Sequence, residues 1–269
     1  VQAEPHERTV PRALHAPDPP SLARIAFVLV GTSHPGNVGA TARAMHAMGL
    51  GDLRLVAPRF PDVAARDEAR AFASGAVEVL ERARVHDSLS SALGDTVLAV
   101  AVSAEPREFG PPPSTPEDAA ADALDVLAAD PAHRVAFVFG AERTGLSIAS
   151  VQACGRLVGI PASPGRASLN LAQAVQVLAY CVRRSALAHE AVAPPADDER
   201  LASARAVEGL LAHMERALVA IGFLDPSHPK KLLPRLRRMV LRSRPRIEEV
   251  DLLRGAFRRI ERLARRIGR

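Results

Sequence analysis

Residues 25–43 read IAFVLVGTSHPGNVGATAR. An unbroken apolar run feeding a glycine-rich turn suits a strand buried on both faces, as in a parallel sheet. Such a turn, placed between a strand and a helix, commonly holds a phosphate or a nucleotide. The spacing excludes the usual two. Gly31 and Gly36 match the opening of the P-loop pattern, but Asn37 and Val38 stand where Lys and Ser or Thr are required. There is no ammonium for a phosphate and no hydroxyl for magnesium. The dinucleotide pattern G-x-G-x-x-G is absent as well. The turn serves neither ATP nor NAD, and some other chemistry must account for it.

Outward from this stretch, β-branched runs alternate with helical ones up to about residue 188. Strands are predicted at 24–30, 53–57, weakly at 83–86, and at 96–102, 134–139 and 156–160. Helices are predicted at 38–48 (ended by Gly49), 63–73, 87–93 from an Asp87 cap, 116–129, 147–153 and 168–188. Thr115-Pro116 with Asp118 beyond is a helix-start signal. Alternation of this kind implies an α/β fold with a parallel sheet covered on both faces. HEAVAPPADDER breaks the pattern and reads as a linker over 189–199, with helices following at 200–221, 228–243 and 246–267. In the last of these, Val250, Leu253, Phe257, Ile260, Ala264 and Ile267 form a narrow apolar seam flanked by arginines. Residues 1–22, with prolines and charges but no apolar h-region, read as a disordered arm and not as a signal peptide.

The chain has 269 residues and is 48% hydrophobic but 3% aromatic, so its core must be built from Ala, Val and Leu. No apolar run approaches the roughly 18 residues of a membrane span. Cys154 and Cys181 have no metal or redox spacing, which suits packing residues in a reduced cytoplasm. The nine histidines are scattered without ligand spacing, so no metal is expected. From Lys230 onward there are 15 Lys or Arg against 4 acids, a balance of +11; with a net charge of +5, the rest of the chain sums to −6. A basic tail on an acidic body suggests a polyanionic partner. The alternative is a solvated, arginine-rich helix face.

In an open parallel sheet, ligands sit beyond the carboxyl ends of the strands. Three loops leave those ends with polar residues: NVGATAR with Asn37, Gly39 and Arg43; FGAERTGLS with Glu142 and Arg143; and IPASPGRASLNLAQAV with Ser168 and Asn170. Singly each has a structural explanation. Asn37 and Ser168 could be helix caps, worth about 1 kcal/mol apiece, and Glu142 and Arg143 a surface pair worth less.

Taken together, N-x-G-A-x-x-R, F-G-x-E-x-x-G-L and S-L-N resemble, in order, the three signature motifs of the SPOUT superfamily of knotted RNA methyltransferases. The resemblance covers residues 24–188. The C-terminal helices and the run SLNLAQAVQVLAYCVRR look most like the TrmJ group, which methylates the ribose 2′-hydroxyl of a tRNA anticodon-loop nucleotide (C or U at position 32). The resemblance implies a deep trefoil knot, a homodimer, and S-adenosylmethionine held by backbone groups of three loops. Carried over by position, cofactor contacts fall on Val102, Ser103, Ala104, Gly140, Ile160, Ala167, Ser168 and Leu169. It implies a catalytic set of Arg43, Asn37, Glu142, Ser168 and Asn170. In that set Arg43 grips phosphate and stabilises the developing alkoxide. Asn37 and Asn170 orient the ribose, and Glu142 fixes either backbone donors or the guanidinium. Ser168 reaches substrate or caps its helix. Glu105, Ala141 and Arg166 depart from the group's pattern on the RNA side, which puts substrate choice in question and not methyl transfer. Two alternatives stay open: the same chemistry on ribosomal or another structured RNA, and a knotted RNA-binding protein without turnover. Retention of all five catalytic candidates counts against the latter.

Overall fold

The computed structural model describes residues 18–103, 110–163, 169–190, 201–228 and 231–266. Seven strands form one all-parallel sheet: β1 (Ile25–Val30), β2 (Asp52–Val56), β3 (Arg84–His86), β4 (Leu98–Val102), β5 (Pro113–Ser114), β6 (Val135–Phe139) and β7 (Arg156–Val158). Their order across the sheet is β3-β2-β1-β6-β4-β7-β5. The expected α/β class and parallel pairing are observed. Strands β1 and β6 lie centrally, with Phe27 opposite Phe137 and Leu29 opposite Phe139.

Alternation along each strand splits the core in two. One face carries Phe27, Leu29, Phe137 and Phe139, packed under helices α1 (Pro35–Ala47), α5 (Pro116–Ala129) and α7 (Leu171–Glu190). The other carries Ala26, Val28, Ala99, Ala101, Ala136 and Val138, under α4 (Leu89–Leu93) and α6 (Ile148–Gln152). Both faces are therefore dry, as continuous apolar strands require. With few aromatic residues in the chain, two ring contacts, Phe27 to Phe137 at 5.6 Å and Phe27 to Phe139 at 5.5 Å, fill the broad side. Gly39 on α1 has a specific reason. A Cβ there would stand 2.0 Å from the Ala69 carbonyl oxygen of α2 (Asp67–Ala73), so the close approach it permits is to a neighbouring helix.

Several elements differ from expectation. Helix α1 begins at Pro35, three residues early, so Asn37 lies inside its first turn and is not its cap. The helix expected at 63–73 is broken: a 3-10 turn spans Val63–Ala65, Arg66 is extended (ψ 144°), and α2 follows. Arg66 lies 3.6 Å from the centre of the Phe60 ring, a stacking that accompanies the break. Helix α3 (Val77–Glu81) is an addition to the expected elements. Ser88, not Asp87, caps α4 by accepting from the Ser91 N–H. Edge strand β5 is another addition; two residues inside a proline run carry no periodic signal, and an edge tolerates proline.

At the amino end of the sheet Arg54 is buried, its guanidinium shared between Asp52 at 2.8 Å and Asp95 at 2.5 Å. Burial pushes the Asp52 carboxyl up, but hydrogen bonds from Arg54 and Arg84 outweigh it and hold the group at about 2.

Helices α8 (Ala204–Ala220), α9 (Leu232–Ser243) and α10 (Ile247–Arg266) form a bundle around Val207, Leu210, Met214, Val240 and Val250. The seam of α10 meets α8: Val250 and Ala264 are buried, and Leu253 and Phe257 pack against the same cluster. Ile267 lies outside the described residues. The ties that join the bundle to the sheet domain include Ala204 N–H to the Thr96 carbonyl, Leu201 N–H to His133 Nε2 at 3.1 Å, and Arg244 to Asp122 at 3.0 Å.

Candidate active site

The β1–α1 loop has little to hold it by itself. Gly31 takes φ +66°, open to glycine at no steric cost, and the following backbone N–H groups point out of the helix start. His34, at the N-cap, supplies no side-chain acceptor. The acceptor comes from the loop after β6 instead. Glu142 accepts from five donors: Thr32 Oγ1 (3.0 Å), Ser33 N (3.1 Å), Ser33 Oγ (3.1 Å), His34 N (3.3 Å) and Asn37 Nδ2 (3.0 Å). A carboxylate at a helix amino end is also favoured by the helix dipole. Burial raises the Glu142 carboxyl, but the Asn37, Ser33 and Thr32 donors outweigh it and leave the group at about 2.

Asn37 passes the connection on. Its Oδ1 accepts from Asn170 Nδ2 at 3.0 Å. Asn170 in turn caps α7: its Oδ1 accepts from Ala172 N at 2.9 Å, and its own N–H reaches Gln173 Oε1 at 3.3 Å. This reciprocal pair is a capping box. The three loops are thus one hydrogen-bonded lattice, Glu142 to Asn37 to Asn170, spanning the carboxyl ends of the sheet. Thr32 and Ser33 complete it beyond what the sequence indicates; nothing local in TSH announces a carboxylate more than a hundred residues away.

Arg43 lies exposed on α1, and no described residue pairs with it. Asn37, Ala40 and Arg43 recur along the uncovered side of that helix. Of the two partners expected for Glu142, the geometry has the backbone donors and not the guanidinium. Arg143 is exposed and stands apart from the lattice.

The expected cofactor positions fall at the ends of three adjacent strands. Val102 pairs with Phe139 on one side and Val158 on the other, and Ser103 N–H donates to the Val158 carbonyl at 3.0 Å. The chain leaving β6 at Gly140, β4 at Ser103 and β7 towards Ile160 is therefore contiguous. Val102 and Ile160 pack partly on the core, and Leu169 is 37% exposed. Gly140 is required by its own loop: a Cβ there would stand 2.1 Å from the Gly145 carbonyl carbon, across the turn closed by Gly145 N–H to Ala141 O at 2.8 Å. Ala104, Ala167 and Ser168, with Glu105 and Arg166, lie outside the described residues. Among the described residues no cluster of His, Cys, Asp and Glu could hold a metal, and no helix is long and apolar enough to cross a membrane.

Comparison with known proteins adds to this geometry. A model described as the SpoU rRNA Methylase family matches residues 24–180, and one described as the tRNA methyltransferase TrmJ, C-terminal domain, matches residues 205–268. The tRNA (cytidine/uridine/adenosine-2′-O-)-methyltransferase TrmJ of Pseudomonas aeruginosa is 43% identical over 255 residues, covering 91% of this chain and 96% of that protein. The tRNA (cytidine/uridine-2′-O-)-methyltransferase TrmJ of Klebsiella pneumoniae is 41% identical, covering 89% of this chain and 97% of that one. The crystal structure of TrmJ from Z. mobilis ZM4 superposes with a TM-score of 0.76 at 32% identity, over 89% of this chain and all of that one (100%). The chain belongs to the SpoU methylase family and, within it, to the TrmJ group.

Proposed function

We propose that this chain transfers a methyl group from S-adenosylmethionine to the ribose 2′-hydroxyl of a tRNA anticodon-loop nucleotide. The observation that carries the proposal is the Glu142–Asn37–Asn170 lattice, which ties three loops together beside the exposed Arg43. Membership of the TrmJ group supports the substrate, and it equally supports a trefoil knot and a homodimer. A cytoplasmic location follows from that substrate. The relatives' names differ in base range, cytidine and uridine in one, adenosine as well in the other.

The cofactor fits what is present. Three adjacent strand ends bring the small residues Ser103, Gly140 and Gly159 side by side, so a ligand there could approach the backbone closely enough for its N–H and C=O groups to meet adenine and ribose. Val102, Ser103, Gly140, Ile160 and Leu169 would hold it, with Ala104, Ala167 and Ser168. When bound it supplies an electrophilic sulfonium methyl.

Glu142 does not act as the base. It is ionised at about 2 and its two oxygens already serve five donors, so it positions the loop. Arg43 acts as a planar guanidinium fork and not as a base. It grips the phosphate beside the target ribose and stabilises the alkoxide as that charge develops. The hydroxyl proton leaves to that phosphate or to water. Asn37 and Asn170, each spending one amide bond on the other, keep the loops in register for the ribose.

Methyl transfer from labelled S-adenosylmethionine, offered total tRNA or ribosomal RNA, tests the proposal. Label in tRNA alone supports it. Label in ribosomal RNA alone favours the competing substrate, and label in neither, with RNA still bound, favours a binding protein.

A further inference from the structure

Away from the strand ends, a notch of about 320 Å³ opens between α8 and α10, lined by Gly209, His213, Arg216, Asp251, Arg254 and Arg258. His213 forms its floor, its ring edge-on to Phe257 at 5.9 Å. Glu261 lies 3.6 Å from His213 and 3.8 Å from Arg216, so one carboxylate is divided between two lining groups. Arg254 and Arg258 have no carboxylate partner among the described residues. Arg254 has a seat made for it. A Cβ on Gly209 would stand 2.1 Å from Arg254 Nη2, so the guanidinium lies directly on the bare backbone of α8. Glycine inside a helix is unfavourable relative to alanine. At this position it makes room for a cation.

We propose that this notch receives one backbone phosphate of the bound RNA, gripped by Arg254 and Arg258 with Arg216 at the wall. It rests on the reading above that the chain acts on tRNA. The guanidinium fork suits phosphate oxygens. Asp251 narrows the ligand further. A carboxylate at the rim repels a multiply charged free anion such as pyrophosphate, whereas a phosphodiester carries one charge and its ribose offers a 2′-hydroxyl donor. The occupant is therefore a ribose-phosphate unit of RNA and not a free polyphosphate.

Two glycine substitutions test the proposal. In Gly209→Ala the new methyl displaces the end of a flexible side chain and leaves the helix intact. Gly255→Ala, on α10, meets nothing within 4 Å and serves as the matched control. Binding of tRNA is measured against salt for the whole 269-residue chain. Gly209→Ala should melt no lower than wild type, bind tRNA severalfold more weakly, and reduce the log–log salt slope by about 0.7–0.9 of a unit, one phosphate's share. Arg254→Gln should do the same, and the double variant should be no worse than either single one. Gly255→Ala should match wild type, and pyrophosphate at millimolar concentration should not compete at the notch. Wild-type affinity and slope in Gly209→Ala and Arg254→Gln would overturn the notch while leaving tRNA methylation standing. Equally, pyrophosphate competition that disappears in Gly209→Ala would assign the notch to a free anion. Failure of the wild type itself to bind tRNA would instead defeat the reading beneath it.

Discussion

At the scale of single residues, the Glu142 carboxylate organises the site by accepting, with five donors around two oxygens. Its folded pKa, about 2, lies below the ordinary 4.5. The sign follows: its stabilisation is fully present above the ordinary value and disappears as pH falls towards 2. Hydrogen exchange at pH 4 should find the Ser33 and His34 amides protected in the wild type. In Glu142→Gln they should be exposed, because an amide turns an N–H₂ group towards donors. Equal exchange in the two proteins would remove Glu142 from the loop's support. Arg43 is a separate matter, since it touches nothing described and is free for substrate. Arg43→Ala should keep wild-type affinity for S-adenosylhomocysteine and lose at least about 100-fold in turnover, roughly 3 kcal/mol. Arg43→Lys should recover part, having the charge without the fork. Full activity in Arg43→Ala would end its catalytic role. Asn37, Arg43, Glu142 and Asn170 are all visible in the sequence. Thr32 and Ser33 are not, since their bonds to Glu142 close a gap of about 110 residues that no local spacing encodes.

At the scale of elements, legibility tracks length and burial. Strands β1, β4 and β6 are long apolar runs buried on both faces and can be read directly. Helix α5 matches its expected bounds residue for residue because Thr115, Pro116 and Asp118 mark its start without ambiguity. Strand β5 has two residues and α3 has five, too short for any period to show. The break at Arg66, where the guanidinium stacks on Phe60, carries no signal in the apolar spacing. Arg54 is the strongest test at this scale, a buried cation in the middle of β2 held by Asp52 and Asp95. Removing one partner of a buried ion pair strands the other charge. Because Arg84 and Arg134 also reach Asp52, the cost should fall at the lower end of the range for such pairs. Arg54→Leu is expected to lower unfolding stability by about 3 kcal/mol in urea melts. A change within about 0.5 kcal/mol would mean the network contributes little.

At the scale of the whole molecule, charge and architecture coincide. Of the excess of +11 beyond residue 229, a balance of +9 (13 Lys or Arg against 4 acids) falls on described residues 231–266 of a bundle tied to the sheet through His133, Thr96 and Asp122, with Arg258, Arg259, Arg262, Arg265 and Arg266 exposed along α10. A soluble helix face would use such residues only for hydration. An RNA-binding one would use them on phosphates. Replacing Arg259, Arg262, Arg265 and Arg266 by Gln should therefore weaken tRNA binding and flatten its salt dependence by about 0.7–0.9 units for each phosphate no longer gripped. Calorimetry should find S-adenosylhomocysteine binding unchanged in that variant. An unchanged slope would assign the arginines to solubility. The most direct measurement concerns the product. A single tRNA, methylated by the pure protein with S-adenosylmethionine and then digested to nucleosides and fragments for mass spectrometry, should carry its added methyl on the ribose of one anticodon-loop nucleotide. A methyl on a base, or on a ribose outside that loop, would contradict the assignment.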